Sequence, residues 1–422
     1  MAEASRPEPV QLLRGLSSSH KRYTHGTHRL RTPAEMLASV RPLLGRAGIT
    51  RLANVTGLDR TGIPVVVGVR PNARILSQSA GKGLTLELAM VSAAMEGIEL
   101  FHAEVVQPPE LYQPYADLAR QHAVIPLHQL PLTRHAIFSP LVPERWTFGW
   151  DLIQSRTVWV PLDLVVLPVR SERGSALFSF QATSNGLASG AAFVEALTAG
   201  LLEVIERDAI ACRRVAAESF GRPMPRVRLE TATHFPLVQE LLERIERADV
   251  RALVYDCTVD THVPVYWAIL YEATERRVGL AEGGGAHLDP EIALLRALTE
   301  AAQARVVAIG GARDDRFGRD LGRGQLTDSR QRILDLEAQP PSVDLRERRS
   351  PAATSFEADL EHLLARLASA GLEQTVVVDL TLPEFRDVLS VVRVIVPGLD
   401  GPGFEQGHPS PRATAFARQA AA

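Results

Sequence analysis

Residues 184–209 read SNGLASGAAFVEALTAGLLEVIERDA, and this stretch decides the fold. From Ala192 to Ala217 the chain is rich in Ala, Leu, Val, Ile and Glu and contains no proline, which predicts a long helix. Helical spacing places several polar side chains on one face of this helix, among apolar neighbours. These side chains are Glu195, Glu203, Glu206 and Arg207.

Two other stretches follow the same pattern. The segment GKGLTLELAMVSAAMEGIE (81–99) opens a second predicted helix over Leu84–Glu104, and ALLRALTEAAQARV (293–306) belongs to a third over Pro290–Ile309. Each helix again carries polar residues at spacings that share a face. They are Ser92, Glu96 and Glu99 in the second helix, and Arg296, Glu300 and Gln303 in the third.

Acids on faces that are otherwise apolar need compensation, because buried carboxylates lose hydration and repel one another. The two arginines, Arg207 and Arg296, are too few for the acids present. Divalent cations are the simplest compensation, and all-oxygen ligands favour Mg²⁺ over Zn²⁺. The alternative is that these faces are solvated and hold only intrahelical ion pairs such as Glu203–Arg207.

The basic residues add a second clue. The sequence has 46 of them, and only Lys21 and Lys82 are lysine. The other basic residues are arginine, so a lysine that is kept against this preference suits a site that needs a compact point charge. A phosphate-binding site is one example. Lys82 lies in Gly81-Lys82-Gly83, for which we expect a loop that lets an anion approach the start of the following helix.

The remaining pattern predicts a mixed helix and strand protein. Residues 108–150 are expected to be irregular, Gly283–Gly285 to form a loop, 313–355 a surface excursion, and the tail from Pro397 to be extended. The other predicted elements are a helix from Pro33 to about Gly45 capped by Thr32, a hairpin of Arg51–Val55 and Ile63–Arg70, strands at Thr157–Leu162, Ala176–Phe180, Ala252–Asp256, Val263–Tyr271, Gln374–Leu380 and Ser390–Val396, and a helix at Phe356–Ala370.

Composition excludes several classes of protein. The 422 residues carry a formal net charge of -3, which gives no basic field for nucleic acid. The two cysteines, Cys212 and Cys257, cannot form a disulfide framework, so a cytoplasmic protein is expected. No uncharged apolar run reaches the roughly 18 residues that a membrane helix needs, so no membrane partner is predicted.

A different metal chemistry competes for one of the acids. Glu99 and His102 form a Glu-x-x-His pair of the kind that binds di-iron centres in helix bundles. The other such pair, Glu405 and His408, lies in the Gly/Pro-rich tail and not on a helix. We therefore favour a packed histidine at His102 over an iron ligand.

The three helical segments resemble the YcaO family of ATP-dependent peptide-modifying enzymes, over most of residues 20–400. The resemblance implies an α+β fold with mixed sheets and long carboxylate-bearing helices lining an ATP site. The implied organisation is an N-terminal arm and helix (1–45), a catalytic domain (46–400) and an extended tail (401–422). The implied Mg²⁺ ligands are Glu96, Glu99, Glu203, Glu206 and Glu300. The residues implied to hold ATP are Lys82, Ser92, Glu195, Arg207, Arg296 and Gln303.

Members of this family phosphorylate a backbone amide oxygen, which a nucleophile then displaces. The stretches GTHRLRTPAEML (26–37) and GITRLANVTGLDRTGIPVVVGVRPNARI (48–75) resemble the branch that works with a TfuA protein. That branch makes thioamides in a precursor peptide or protein, with TfuA delivering sulfide. The Pro-x-Pro-x-Pro ending of azoline-forming members is absent, because Pro409 and Pro411 precede eleven more residues.

Two alternatives stay open beside thioamide formation: an azoline-forming cyclodehydratase and a non-catalytic scaffold that binds a precursor peptide. The chain departs from the family pattern at Ala191, where Asn is usual, and at Ala199, where the thioamide branch often has His. The retained acids favour an enzyme. A homodimer is also compatible with the resemblance.

Overall fold

The computed structural model describes residues 19–133, 136, 138–167, 179–272, 279–311, 331–399, 401 and 410–419. Its helices are α1 (Pro33–Val40), α2 (Leu86–Val105), α3 (Tyr115–Gln121), α4 (Phe193–Phe220), α5 (Pro236–Arg247), α6 (Pro290–Gly310), α7 (Phe356–Ser369) and α8 (Pro411–Gln419). Its strands are β1 (Arg51–Asn54), β2 (Val65–Val69), β3 (Gln78–Lys82), β4 (Leu111–Pro114), β5 (Pro143–Asp151), β6 (Arg156–Pro161), β7 (Leu187–Gly190), β8 (Val250–Asp256), β9 (Val265–Glu272), β10 (Ala281–Ala286), β11 (Val376–Asp379) and β12 (Ser390–Ile395).

The strands form three antiparallel sheets. The first has the order β1-β2-β3, and the second has the order β10-β9-β8. The third has six strands in the order β4-β5-β11-β12-β7, with β6 also paired to β5. Strand β9 (VYWAILYE) is buried along its whole length, as expected of a central strand covered on both faces.

Three strand–helix units, β3–α2, β7–α4 and β10–α6, share one construction. In each unit two or three residues separate the end of the strand from the start of its helix, and the helix packs back over the strand. Glycine permits this close approach: a Cβ at Gly81 would lie 2.1 Å from the Ala93 backbone nitrogen, and one at Gly283 would lie 2.2 Å from that of Ala301. No side chain fits between strand and helix at these points.

Helix starts follow the sequence signals. The Thr32 side chain accepts a hydrogen bond from the Glu35 backbone nitrogen, and the Glu35 carboxylate accepts one from the Thr32 backbone nitrogen, which completes a capping box at the start of α1. Thr85 caps α2 in the same sense, and Asp289 caps α6 by accepting from two backbone nitrogens. These caps set where α2 and α6 begin relative to their strands.

The α+β fold and the three long helices predicted from the sequence are confirmed. The β1–β2 hairpin is also present, while the first helix ends at Val40 and continues as a 3-10 turn instead of reaching Gly45. Among the described residues, no helix is long and apolar enough to cross a membrane. Most of the strand predicted at Ala176–Phe180, part of the excursion predicted at 313–355 and residues 1–18 of the predicted N-terminal arm lie outside the described residues.

Four expectations were wrong. Residues 108–150 are not irregular, because β4, α3 and β5 form there, with Pro114 and Pro143 paired at the ends of the two strands. Gly283–Gly285 is part of strand β10, where its lack of side chains lets α6 approach. Lys82 ends strand β3 and is not in a loop. The tail is not fully extended: α8 forms and buries Ala413 and Ala417.

The contact between β10 and α6 predicts the outcome of a glycine substitution. Gly283→Ala should destabilise the protein by about 1 to 3 kcal/mol, because its Cβ would press on helix backbone that cannot rotate away. Gly57→Ala is the matched control, since nothing lies within 4 Å of its Cβ position, and it should change stability by less than about 0.5 kcal/mol. Urea denaturation of both variants measures this, and equal stabilities would contradict the packing argument.

Candidate functional site

The three strand–helix units close into a ring through polar contacts. The Ser189 hydroxyl of β7 donates to Glu99 of α2 at 2.6 Å. The backbone nitrogen of Ala286, at the end of β10, donates to Glu206 of α4 at 2.8 Å. The Lys82 ammonium at the end of β3 pairs with Glu300 of α6. Each helix therefore bonds to the strand of another unit, and the acid-bearing faces meet at the centre.

Further contacts hold the same ring. The Gln303 side-chain amide of α6 donates to the Ala80 carbonyl of β3. A Cβ at Gly284 would lie 2.8 Å from a carboxylate oxygen of Glu206, so this glycine makes room for the acid. The ring thus depends on hydrogen-bonded polar groups and on the absence of a side chain at Gly284.

Burial dominates the electrostatics of the acids. It raises the pKa of Glu96 to about 7 and the pKa of Glu99 to about 8, and in both cases the charge of Glu203 raises it further. Burial also raises the pKa of Glu206 to about 7, with a further contribution from Glu300. These carboxyl groups affect one another's pKa, so they form one electrostatic cluster.

Cations partly balance this cluster. Burial acts to raise the pKa of Glu300, but Lys82 and Arg296 outweigh it, and the pKa lies below its ordinary value. Arg207 holds Glu203 through its Nε at 3.0 Å, the intrahelical pair expected from the sequence. The solvated-face alternative therefore describes this one pair, and it does not describe the buried Glu206 or the half-buried Glu96 and Glu99, whose pKa values are raised by loss of hydration.

The structure brings together the residues singled out in the sequence. Glu195 is buried at the start of α4, accepts from the Ala191 backbone nitrogen at 3.0 Å, and faces Arg29 at 3.7 Å. The Nε of Arg296 is buried and has no hydrogen-bond partner among the described residues, which leaves a donor for a ligand. Ser92 lies one helical turn before Glu96 on α2.

Three site residues were not predicted from the sequence. Ser189 holds Glu99, as described above. The pKa of Arg29, in the N-terminal arm, responds to Glu195, Arg296 and Glu99, which places it beside the ring. Arg393 is fully buried on β12, and burial lowers its pKa to about 10 although Glu203 and Glu99 act in the opposite direction. A lone arginine in the apolar strand SVVRVI is the signal that could have identified it.

Two residues considered from the sequence have structural roles instead. Lys21 forms a buried ion pair with Asp359 at 2.5 Å and donates to the Ala353 carbonyl, so its charge is already matched. His102 is fully buried, its Nδ1 lies 2.7 Å from the Ile98 carbonyl, and its ring packs on Phe385 at 4.6 Å. This packing supports the structural histidine over the iron ligand.

The donor set fits Mg²⁺. It consists of carboxylate oxygens; burial and neighbouring carboxylates raise the pKa of Glu96, Glu99 and Glu206, and a divalent cation relieves both effects. In the described part of the chain, no three His, Cys, Asp or Glu side chains are grouped so that they could enclose an ion. Mg²⁺ usually takes one or two carboxylates, with water and substrate phosphates completing its shell, so it does not need such a cage.

Comparison with known proteins now decides the family. The model of a protein family described as YcaO cyclodehydratase, ATP- and Mg²⁺-binding, matches residues 80–400. The chain belongs to the YcaO family. The match covers all three long helices, and its description confirms the predicted cofactors, ATP and Mg²⁺.

Relatives identify the branch. An uncharacterised protein from the tfuA 3′ region of Rhizobium leguminosarum bv. trifolii is 36% identical over 379 residues, which cover 87% of this chain and 88% of the relative. This confirms the predicted resemblance to the TfuA-associated branch. An uncharacterised protein of Methanothermobacter thermautotrophicus is 35% identical over 380 residues, covering 87% of this chain and 94% of the relative.

Solved structures show the same fold. The YcaO protein of Methanopyrus kandleri, bound with AMPPCP and Mg²⁺, aligns with a TM-score of 0.72 and 28% identity over 93% of this chain and 98% of that one. A heterocyclase in complex with substrate and cofactor aligns with a TM-score of 0.75 and 23% identity. That alignment covers 92% of this YcaO chain and about half, 54%, of the heterocyclase, and it supports the fold alone.

The raised carboxyl pKa values predict a pH dependence for the metal-free protein. Between the ordinary carboxyl pKa of 4.5 and the raised values of about 7 and 8, the folded carboxyl groups retain protons that the unfolded chain has released, so stability falls as pH rises across this range and levels off above it. Burial lowers the pKa of His28 to about 4, so this histidine acts in the opposite direction between about pH 4 and its ordinary value of 6.5. With EDTA, the melting temperature should therefore drop between about pH 6.5 and about pH 8 and level off above that.

A substitution tests whether the Glu99 carboxyl group contributes to this pH dependence. Glu99→Gln should melt with a smaller drop over the same range, since its amide does not titrate, whereas Glu361→Gln on an exposed position should behave like the parent chain. Added Mg²⁺ should restore stability at the higher pH by replacing protons. Parallel curves for parent and Glu99→Gln would contradict the assignment.

Proposed function

We propose that this YcaO protein uses ATP and Mg²⁺ to phosphorylate a backbone amide oxygen in a precursor peptide or protein, and that sulfur then replaces that oxygen to give a thioamide. The observation that carries the proposal is the ring in which Lys82, Ser189 and Ala286 hold acids from three different helices. Such a cluster of carboxylates and cations suits the binding of metal-bound phosphates.

We assign roles to the ring residues on this basis. The carboxylates Glu96, Glu99, Glu203, Glu206 and Glu300 would hold Mg²⁺. The residues Lys82, Ser92, Glu195, Arg207, Arg296 and Gln303 would hold or orient the nucleotide. The unpartnered Nε of Arg296 supports its assignment to a phosphate, because a buried donor without a partner is costly unless a ligand satisfies it.

The chemistry balances in two steps. The amide oxygen attacks the γ-phosphorus of ATP, the bond from that phosphorus to the bridging oxygen breaks, and ADP leaves. Sulfide then adds to the activated carbon, and its carbon–oxygen bond breaks to release phosphate. The cations of the ring stabilise the charge that develops on the phosphoryl oxygens, which is the main contribution a protein makes to phosphoryl transfer.

A separate protein is proposed to deliver the sulfide. Cys212 and Cys257 are both buried, and burial raises the pKa of Cys257 well above its ordinary value. A thiol of this kind does not ionise near neutral pH and cannot carry sulfur to a substrate. The relative from the tfuA 3′ region supports a TfuA-type partner.

An azoline-forming cyclodehydratase is the second candidate. It would use the same activation, but a Cys, Ser or Thr side chain of the substrate would attack, and the family model's description as a cyclodehydratase favours it. The departures at Ala191 and Ala199 leave activation intact in our proposal, since the backbone nitrogen of Ala191 still donates to Glu195. A scaffold without catalysis would not require the cluster of buried acids.

ATP turnover tests the enzyme against the scaffold. Glu203→Gln should reduce ATP hydrolysis at least about a hundredfold, because it removes a charge proposed to bind metal and to hold Arg207. Glu218→Gln is the matched control, since Glu218 pairs with Arg214 on the same helix at an exposed position, and it should stay within about twofold. Equal hydrolysis by the two variants would contradict the assigned site.

Mass spectrometry distinguishes the two reactions. A candidate precursor peptide is incubated with the protein, ATP, Mg²⁺, sulfide and a TfuA partner, and its intact mass is measured. A gain equal to sulfur replacing oxygen is expected. Loss of water would instead establish the cyclodehydratase, and an unchanged peptide without ATP consumption would favour the scaffold.

A further inference from the structure

Helix α8 packs on α4, the helix that supplies Glu203 and Glu206 to the acid ring. Ala413 and Ala417, one turn apart, have no exposed surface and join the core formed by Cys212 and Val215 of α4. Small side chains at this spacing allow two helices to approach closely. The Phe416 ring also lies under the Arg213 guanidinium at 5.2 Å. The carboxyl-terminal helix is therefore an integral part of the packing around α4.

Arg412 makes the polar contact of this interface. Its Nε lies 2.9 Å from both carboxylate oxygens of Asp208, which has no exposed surface. Its two terminal nitrogens donate to Asp260, in the turn between β8 and β9, at 2.6 and 3.2 Å. Burial acts to lower the pKa of Arg412, but the two aspartates outweigh it and raise the pKa. One guanidinium fork thus joins α8, α4 and the second sheet.

Asp208 lies immediately after two ring residues. Glu206, Arg207 and Asp208 are consecutive on α4, so they point about 100° apart around the helix. Glu206 bonds to the end of β10 and Arg207 to Glu203, while Asp208 points to Arg412. A rotation of this turn that followed loss of the Asp208 contact would move Glu206 and Arg207 as well.

We propose that Arg412 is a positioning residue for the ATP and Mg²⁺ site. By holding Asp208 against Asp260, it fixes the rotation of α4 that presents Glu206 and Arg207 to the ring. It touches no reacting atom in this proposal, which rests on the proposed function for the identity of the ligand. Arg412 controls the orientation of Glu206 and Arg207 and does not contact the nucleotide.

Hydrogen exchange of the ligand-free protein tests this directly. Arg412→Met keeps most of the apolar stem and removes the fork. Peptides spanning 200–210 should exchange at least about tenfold faster in this variant, whereas peptides of α2 should not change. Arg70→Met is the matched control, because it breaks another buried ion pair, Arg70–Glu104, that does not involve α4. Unchanged exchange over 200–210 in Arg412→Met would overturn the proposal.

Steady-state kinetics provides a second test, because loss of stability alone does not change KM or kcat in a fully folded protein. At a temperature where both variants are fully folded, Arg412→Met should raise KM for ATP at least about fivefold and lower kcat, and Arg70→Met should change neither by more than about twofold. Identical constants for the two variants would overturn the positioning role. If the parent chain does not hydrolyse ATP, the proposed function fails, and hydrogen exchange still decides the role of Arg412.

Discussion

The structure depends on one constraint: a polar group at or near the end of the edge strands β3, β7 and β10 must meet an acid from the helix of another unit. Ser189 meets Glu99, Ala286 meets Glu206, and Lys82 meets Glu300. These contacts join residues that are about 80 to 220 positions apart in the chain. Because each contact links a different pair of units, no single sheet holds the site. The ring forms only when all three sheets are assembled.

Without a bound cation, the acids in this ring lower the stability of the fold. In the proposed site they would attract the cation that stabilises them. Burial and mutual repulsion raise the pKa of Glu96, Glu99 and Glu206, so part of the cluster binds protons near neutral pH. A divalent cation removes both penalties at once. In the proposed site, ligand binding and site stability are therefore coupled through the same carboxylates, two of which accept hydrogen bonds from the Ser189 hydroxyl and the Ala286 backbone nitrogen.

Sequence patterns predicted the helices and their acids well, because apolar residues at helical spacing and isolated carboxylates are local signals. Strand β10 was missed since its sequence AEGGGA has little strand propensity, and its glycines are explained only by the helix that packs on them. The role of Arg29 was missed because its neighbours come from distant segments. The ring itself has no local signature. The resemblance named its residues, and the geometry explains how they meet.

Helix α4 shows why the choice of product does not reside in the acid ring. One face carries Glu203 and Glu206 toward the ring, and the turn that follows carries Asp208 toward the carboxyl-terminal helix. In the proposed mechanism both faces act before any nucleophile is needed, since they would bind and align the groups that phosphorylate an amide oxygen. A thioamide and an azoline require the same first step. On this proposal the product is decided by what reaches the activated carbon, so the proposed sulfide-delivering partner and the peptide side chains would determine the reaction.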